Sequence, residues 1–228
     1  MDKLRYRFEN REEPIEKTIA SYDQHAEEFF EKHGGYEPVE SLLQFQRYVP
    51  GDSYVLDAGC GLGRDTDYLR IHGYKKTIGL DMSLGMLQVG SKLAGFQFPA
   101  IQGDFRELPF ASQSFDGIWA VASIIHIPTT EVGYVLDEFK RILKPGGYVY
   151  ISVIQGKGDE QIESLKGVDD IFNRGWRYFV YYRQEEIKTV LMEAGLKNIA
   201  SWERPGKRPK KPNEKFRERI WIHIIAKT

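Results

Sequence analysis

Three glycines alternate with other residues directly after an apolar run that ends in an acid. The stretch reads Val55-Leu56-Asp57-Ala58-Gly59-Cys60-Gly61-Leu62-Gly63. A strand, a glycine turn and a helix bring backbone N–H groups and a helix N-terminus close to a ligand, because glycine has no side chain to obstruct the approach. The spacing G-x-G-x-G differs from the dinucleotide fingerprint G-x-G-x-x-G, and Asp57 would repel a pyrophosphate. We therefore expect a nucleotide-like ligand that carries an ammonium group.

Two further acids follow the next two predicted strands. Asp81 ends its strand at a position where a carboxylate can accept hydrogen bonds from both hydroxyls of a ribose. Its alternative role is a helix N-cap, although Ser83 already offers a capping side chain. Asp104 and Phe105 would suit an amino-purine, with the carboxylate accepting from the exocyclic amine and the ring stacking. Taken alone, Gly103-Asp104 indicates only a turn.

Alternating strand-like and helical segments must position these residues. Turn residues bound the strand-like runs, and the apolar stripe that follows Thr130 and the one between Glu185 and Ala194 predict helices. This alternation predicts a parallel sheet that is covered on both faces. The predicted strands are Tyr54–Leu56, Thr77–Leu80, Gln97–Ile101, Phe115–Val121 and Tyr148–Val153, with a closing antiparallel hairpin of Leu196–Trp202 and Ile220–Ala226.

Five short motifs in this order resemble those of class I S-adenosylmethionine-dependent methyltransferases. They are Asp57–Gly63, Asp81, Gly103–Phe105, Ser114–Trp119 and Arg141–Gly147. The likeness runs from about Tyr22 to Val153 and more faintly to the end. It implies an α/β, Rossmann-like, doubly wound sheet of seven mostly parallel strands, with the last strand antiparallel and helices on both faces. It also implies S-adenosyl-L-methionine as cofactor, bound by Asp57, Gly59, Gly61, Asp81, Met82, Asp104 and Phe105, with Val121 on the pocket floor.

The resemblance also divides the chain. Residues 1–50 are expected to form a helical cap over the cofactor, and residues 51–228 the methyltransferase domain, with 155–183 as a substrate-side insertion. Tyr22 lies in a segment that resembles the closing N-terminal helix of many small-molecule members, so its ring would approach the sulfonium. Alternatively, Tyr22, Ala26 and Phe29 form only the packing face of a surface helix.

A general base is needed only if the acceptor must lose a proton. The candidate catalytic residue is His126, which follows the fourth strand at the edge where open α/β sheets bind ligands. A structural or pocket-lining role is the alternative for this histidine. The reaction demands no metal, and the single cysteine, Cys60, argues against structural zinc.

Aromatic and arginine residues are concentrated between Arg174 and Arg183. Trp176, Arg177 and Tyr181 could bind an anionic or flat substrate by stacking and bidentate hydrogen bonds. The segment could instead be extended chain that packs its rings on the core. The basic stretch from Arg204 to Arg219 is predicted to be a solvated loop, with an anion site or RNA contact as alternatives.

The overall composition gives no sign of a nucleic-acid or membrane partner. Apolar residues make up 41% and charged residues 29% of 228 residues, and the net charge is −1, so no excess charge points to nucleic acid or membrane. No export signal or membrane span is visible, which predicts a cytoplasmic protein.

We expect methyl transfer to an O, N or C atom of a small molecule by a monomer or homodimer. A tRNA or other macromolecule methyltransferase, a non-catalytic cofactor-binding module and a nicotinamide dehydrogenase are the alternatives.

Overall fold

One sheet with helices on both faces forms the fold. The computed structural model describes residues 13–33, 37–93, 95, 97–157, 159–164, 176–206 and 219–228. The strands in this part are β1 Val55–Ala58, β2 Ile78–Asp81, β3 Ala100–Gln102, β4 Phe115–Val121, β5 Leu143–Gln155, β6 Asp159–Ser164, β7 Trp176–Tyr182, β8 Lys197–Pro205 and β9 Ile220–Lys227. The helices are α1 Glu13–Gln24, α2 Ala26–His33, α3 Val39–Phe45, α4 Arg64–Ile71, α5 Leu84–Leu93, α6 Thr129–Ile142 and α7 Gln184–Glu193, with a 3-10 turn at Ile124–His126.

Seven of the described strands form the predicted doubly wound core. Their order is β3-β2-β1-β4-β5-β9-β8, in which β9 runs antiparallel to both of its neighbours and the other strands run parallel. The fold class is therefore confirmed, including the antiparallel last strand. The helices α6 and α7 lie within one residue of the predicted bounds, whereas β3 is shorter than the predicted Gln97–Ile101.

Two further described strands, β6 and β7, pair within residues 155–183, the expected substrate-side insertion, for which no strand pairing was predicted. Ile154 of β5 pairs with Tyr181 of β7 on one side and with Trp221 of β9 on the other. Since β4 pairs with β5 as far as Ser152, β7 continues on the β4 side of β5, beyond the carboxyl end of β4. The hairpin therefore lies beside the edge of the sheet where open α/β folds bind ligands.

Side chains of the central strands alternate between two apolar layers. Leu56, Ile118 and Ile151 pack in one layer, where α6 and α7 cover the sheet. Trp119 and Tyr150 pack in the other, against α3 and α4. Period-2 alternation in strands that are buried on both faces produces this arrangement and fixes the register of the sheet. Among the described helices, none has the length and apolar character needed to cross a membrane.

Candidate cofactor and acceptor site

A cavity of about 790 Å³ opens at the carboxyl edge of the sheet, around the ends of β1, β2, β4 and β5. The chain order reverses between β1 and β4, which is the switch point where α/β sheets bind ligands. The predicted site residues that line this cavity are Tyr22, Asp57, Gly59, Gly61, Asp81, Met82, Phe105, Val121, His126 and Arg177. Asp104 and Tyr181 are described but do not line it, and the side chain of Trp176 lies outside the described part of the chain.

The glycine loop between β1 and α4 has a backbone that requires glycine. Gly59 has φ +81° and Gly63 has φ +83°, both in the left-handed region. A Cβ placed on Gly59 would lie 2.3 Å from the Cβ of Ser123, and one on Gly63 would lie 1.7 Å from Cζ of Phe98. The loop is therefore held tightly between the chain that follows β4 and the ring of Phe98.

Asp81, at the end of β2, holds the loop while its carboxylate lines the cavity. Its Oδ2 accepts a hydrogen bond from the Gly61 amide at 2.7 Å, and its Oδ1 accepts one from the Ser83 amide at 2.8 Å. Burial raises the pKa of Asp81, and these amide bonds offset part of that shift. A carboxylate oxygen has capacity for more than one donor, so each can still accept a hydroxyl.

Asp57 is a buried acid among other acids. It is 2% exposed, and its Oδ2 accepts a hydrogen bond of 2.6 Å from the Thr66 hydroxyl. Burial, together with the neighbouring carboxylate of Asp65, raises the pKa of Asp57 well above its usual value. An ammonium group in the cavity would compensate this negative charge, so the chemistry of the site fits the ligand expected from the sequence.

Asp104 makes its observed contacts within its own turn. Arg106 donates from both Nε and a terminal nitrogen to Asp104 Oδ2, at 2.8 and 2.6 Å, and its amide donates to Oδ1 at 2.8 Å. Arg106 also bridges to the buried Glu131 on α6. Phe105 is buried and lines the cavity, so these contacts fix the turn that presents its ring. A contact between Asp104 and an adenine amine stays a prediction.

Helix α1 closes the cavity and is anchored at the start of α5. The Asp23 carboxylate accepts hydrogen bonds from the Ser83 hydroxyl at 2.6 Å and from the Gly85 amide at 2.8 Å. Ser83 also caps α5 by accepting from the Met86 amide, as the sequence suggested. A Cβ on Gly85 would lie 2.7 Å from Cα of Asp23, so glycine permits the two chains to meet.

Tyr22, His126 and Arg177 form a polar cluster on the cavity wall. The Nδ1 atom of His126 lies 2.7 Å from the Tyr178 carbonyl oxygen, which can only accept, so Nδ1 carries the proton. The Tyr22 hydroxyl lies 3.0 Å from Nε2 of His126 and therefore donates to it, while it accepts from Arg177 at 3.2 Å. The cluster joins α1, the turn after β4 and β7, three elements far apart in sequence.

His126 has the properties of a neutral hydrogen-bond acceptor. The pKa of His126 is lowered to about 3, mainly by burial and to a smaller extent by the positive charges of Arg177 and Arg219, while the hydrogen bond to the Tyr178 carbonyl opposes the shift. An effective general base has a pKa near the operating pH, so an imidazole with this pKa is a weak base at neutral pH. The predicted catalytic role of His126 stays a prediction, and its contacts favour a role in orienting Tyr22.

Several residues that line the cavity were not singled out from the sequence. Ser123 and His223 are buried, and their Oγ and Nε2 atoms have no hydrogen-bond partner among the described residues. Arg219 and Trp221, at the start of β9, also line it. The only sequence signal for Arg219 was the basic stretch, whose residues 207–218 lie outside the described part of the chain. His223 lies within an apolar strand, and no motif or spacing in the sequence marked it as a candidate site residue.

Known proteins are similar to this chain in sequence and in fold. Residues 55–147 match the family model described as a methyltransferase domain. A protein of Encephalitozoon cuniculi that is assigned to the methyltransferases is 32% identical over 162 residues, which cover 66% of this chain and 73% of that one. The 24-methylenesterol C-methyltransferase 2 of Oryza sativa subsp. japonica is 28% identical over 171 residues, 70% of this chain and 44% of that one. The chain thus spans less than half the length of several curated relatives that it matches.

A solved structure extends the comparison to nearly the whole fold. The 1,6-didemethyltoxoflavin-N1-methyltransferase of Burkholderia thailandensis, with bound 1,6-didemethyltoxoflavin and S-adenosylhomocysteine, superimposes with a TM-score of 0.67 at 18% identity. The match covers 100% of this chain and 90% of that one. With the strand order, the glycine loop and the acids that follow β1 and β2, these similarities lead to one assignment: the chain belongs to the class I S-adenosylmethionine-dependent methyltransferases.

Proposed function

We propose that this protein transfers a methyl group from S-adenosylmethionine to a small-molecule acceptor held in the same cavity. The observation that carries the proposal is the continuity of this cavity. Its lining runs from the glycine loop and Asp81 past Val121 to Arg177 and Trp221. Helix α1 and strand β7 cover the cavity. They are joined by a hydrogen bond of 2.9 Å that the Tyr178 amide donates to the Thr18 hydroxyl. An enclosed space of this size suits a small molecule.

The proposed cofactor contacts follow from the chemistry of each side chain. When bound, the cofactor would supply a methyl group on a sulfonium. An electron pair of the acceptor would form the new bond to carbon, the S–CH₃ pair would stay on sulfur, and a proton on the acceptor would pass to solvent. Asp57 would compensate the ammonium charge, and Asp81 would accept from the ribose hydroxyls. Phe105 would contact the adenine, with Met82 beside it and Val121 on the floor of the pocket.

The protein's main tasks would be to orient the acceptor and to exclude water. Helix α1 covers the cavity, so it would both orient the acceptor and exclude water. A displacement on carbon needs little further catalysis once the reactants are correctly oriented. Tyr22 would face the methyl group, and His126 and Arg177 would fix the direction of its hydroxyl. We infer that His126 is a positioning residue that acts through Tyr22.

A small-molecule acceptor agrees with the names of related proteins. The rice relative is named for a sterol carbon and the Burkholderia enzyme for a ring nitrogen of a heterocycle, so the fold accommodates different acceptor atoms. Transfer to RNA is the other candidate. It would use the basic stretch around residues 207–218 and would show strongly salt-dependent binding.

Thermal melts with S-adenosylhomocysteine or with NADH test the cofactor assignment. We expect S-adenosylhomocysteine to raise the Tm and NADH to leave it unchanged, because only a ligand of the folded state stabilises it. Asp81→Asn should weaken S-adenosylhomocysteine binding about tenfold to a hundredfold, the usual effect of losing a charge-assisted hydrogen bond. Asp52→Asn is the matched control, since the Asp52 side chain is exposed, lies outside the cavity and forms an ion pair with Lys76. Stabilisation by NADH alone would overturn the assignment.

A labelled-methyl assay tests the acceptor class. The protein is incubated with labelled S-adenosylmethionine and a cell extract that has been separated into small molecules, RNA and protein. We expect label in the small-molecule fraction. Label in RNA or protein would replace the small-molecule acceptor with a macromolecule, and cofactor binding without any transfer would identify a non-catalytic module.

A further inference from the structure

The order of the strands distinguishes two sides of the cavity. Apart from Tyr22 on α1, the residues proposed to contact the cofactor lie at the ends of β1, β2, β3 and β4. The strands β5 and β9 follow β4 in the opposite direction across the sheet. Ser152 on β5 and His223 on β9 line the same cavity, and both are buried. A ligand group that contacts them therefore lies on the acceptor side of β4.

Four residues form one row across the sheet. Val121 of β4 pairs with Ser152, Ser152 pairs with His223, and His223 pairs with Trp202 of β8. Paired residues of neighbouring strands point to the same face of a sheet. The Cα atom of His223 lies about 10 Å from that of Val121, since the two are separated by two strand spacings. A small molecule can span this distance from the proposed floor of the cofactor pocket.

Two contacts fix the imidazole ring of His223. Its Nδ1 atom lies 2.8 Å from the Tyr150 hydroxyl, and the ring stacks on Trp202 with centroids 5.5 Å apart and planes inclined by 12°. His223 is 5% exposed, and its Nε2 atom is buried without a hydrogen-bond partner in the part of the chain that the structure describes. Such an atom costs free energy unless a ligand or a water molecule bonds to it.

The contact with Tyr150 favours a proton on Nε2. A phenol is a better donor through its O–H than acceptor through its oxygen, so the hydroxyl donates to Nδ1 and the ring proton of the neutral imidazole lies on Nε2. The pKa of His223 is lowered to about 4, mainly by burial and to a smaller extent by the positive charge of Arg204, while Glu40 opposes the shift. At neutral pH His223 is therefore an uncharged N–H donor at the wall of the cavity.

We propose that His223 is a specificity-determining residue whose Nε2–H donates a hydrogen bond to a carbonyl oxygen or ring nitrogen of the methyl acceptor. This inference rests on the proposed methyl transfer. The acceptor extends along the row from Val121 to His223, with its reacting atom at the cofactor end and its lone pair at the other. A molecule without that lone pair leaves Nε2 unsatisfied and is rejected for this reason.

Binding of the methylated product to His223 variants tests this inference. A deproteinised small-molecule extract of cells that produce the protein is incubated with labelled S-adenosylmethionine and the wild-type protein, and the labelled product is purified. This product is the probe in equilibrium dialysis with the S-adenosylhomocysteine complexes of the wild type and the variants. His223→Phe keeps a ring beside Trp202 but removes both nitrogens, whereas the amide of His223→Gln keeps an N–H donor at about the position of Nε2.

His223→Phe should bind the labelled product about tenfold to a hundredfold more weakly than the wild type, because the lone pair of the ligand then lacks its donor. His223→Gln should recover most of this loss. His72→Phe makes the same change in an exposed histidine outside the cavity and should bind like the wild type. The affinity for S-adenosylhomocysteine should be unchanged in all three variants, whereas a merely structural role of His223 would weaken the binding of both ligands.

The possible outcomes separate this inference from the proposed function. If His223→Phe binds the labelled product as tightly as His72→Phe, a water molecule is the partner of Nε2 and the inference is wrong, while methyl transfer stands. Equal weakening of product and S-adenosylhomocysteine binding in both His223 variants would also overturn it. If a thermal melt shows that His223→Phe does not fold, the smaller side chain of His223→Leu replaces it. Absence of any labelled product would refute the proposed small-molecule transfer and, with it, this inference.

Discussion

Gly59→Ala tests the geometry of the glycine loop. Gly59 has φ +81°, and an added Cβ would lie 2.3 Å from Cβ, 3.3 Å from Oγ and 3.4 Å from Cα of Ser123. Carbon atoms in contact are normally about 3.5–4.0 Å apart, so the overlap with the first atom exceeds 1 Å. The substitution must therefore displace Ser123 or the loop itself, and both line the cavity.

The expected loss of stability follows from two terms. A non-glycine residue in the left-handed region costs about 1–2 kcal/mol, and overpacking costs about 1–3 kcal/mol. Together these give about 2–5 kcal/mol. For a chain of this length each kcal/mol lowers the Tm by about 2–4 °C, so we expect a decrease of about 4–20 °C. Binding of S-adenosylhomocysteine should also weaken, because the displaced atoms belong to the cavity wall.

Differential scanning calorimetry and titration calorimetry measure both effects against Gly133→Ala. Gly133 lies within α6 and has no atom within 4 Å of its added Cβ. The same substitution there should stabilise by about 0.5–1 kcal/mol and leave ligand binding unchanged. If Gly59→Ala retains the wild-type Tm and ligand affinity, the close approach to Ser123 and the strained backbone are wrong.

Four further substitutions test the site. For Asp57→Asn, burial raises the pKa of Asp57 in the folded state, so between the unfolded-state pKa and the folded-state pKa the native protein binds more protons than the unfolded chain, and wild-type stability from this group falls as the pH rises. The variant's stability relative to the wild type should then increase with pH in urea titrations, and a constant difference would contradict the burial of this charge. Asp23→Ala should cost about 1–2 kcal/mol by removing two hydrogen bonds at the start of α5, and an unchanged Tm would contradict the anchoring of α1. His126→Asn and Tyr22→Phe should each lower kcat. Neither should remove an inflection between pH 6 and 8 from the plot of kcat against pH, since the pKa of His126 is about 3. If only the His126 variant loses such an inflection, His126 is the general base.

The positions of Asp57 and Asp81 were largely predictable because both follow from strand ends. A parallel strand that is buried on both faces reads as a short apolar run, and β1, β2 and β4 are of this kind. The residues that follow them must meet at one edge of the sheet. Asp57 and Asp81 were located by this rule, and both line the cavity.

The acceptor end could not be predicted in the same way. Strand β6 pairs with β7, and β7 pairs with two residues of β5. This pairing leaves no periodic pattern in the sequence. At the cofactor end, Asp104 was predicted to contact the adenine and this stays a prediction; its observed partner is Arg106, two residues later. Local spacing shows which side chains are near each other along the chain, but not which of them pair.

The sequence alone determined the fold class, the glycine loop and the kind of cofactor, because those features depend on residues close together in the chain. Tertiary structure decided which side chains line the cavity beyond the glycine loop. Tyr22, His126 and Arg177 are more than 50 residues apart in sequence from one another, and Arg219 comes from yet another segment. Only the packing of α1 and β7 over the sheet brings Tyr22, His126 and Arg177 together, because each lies on a different element.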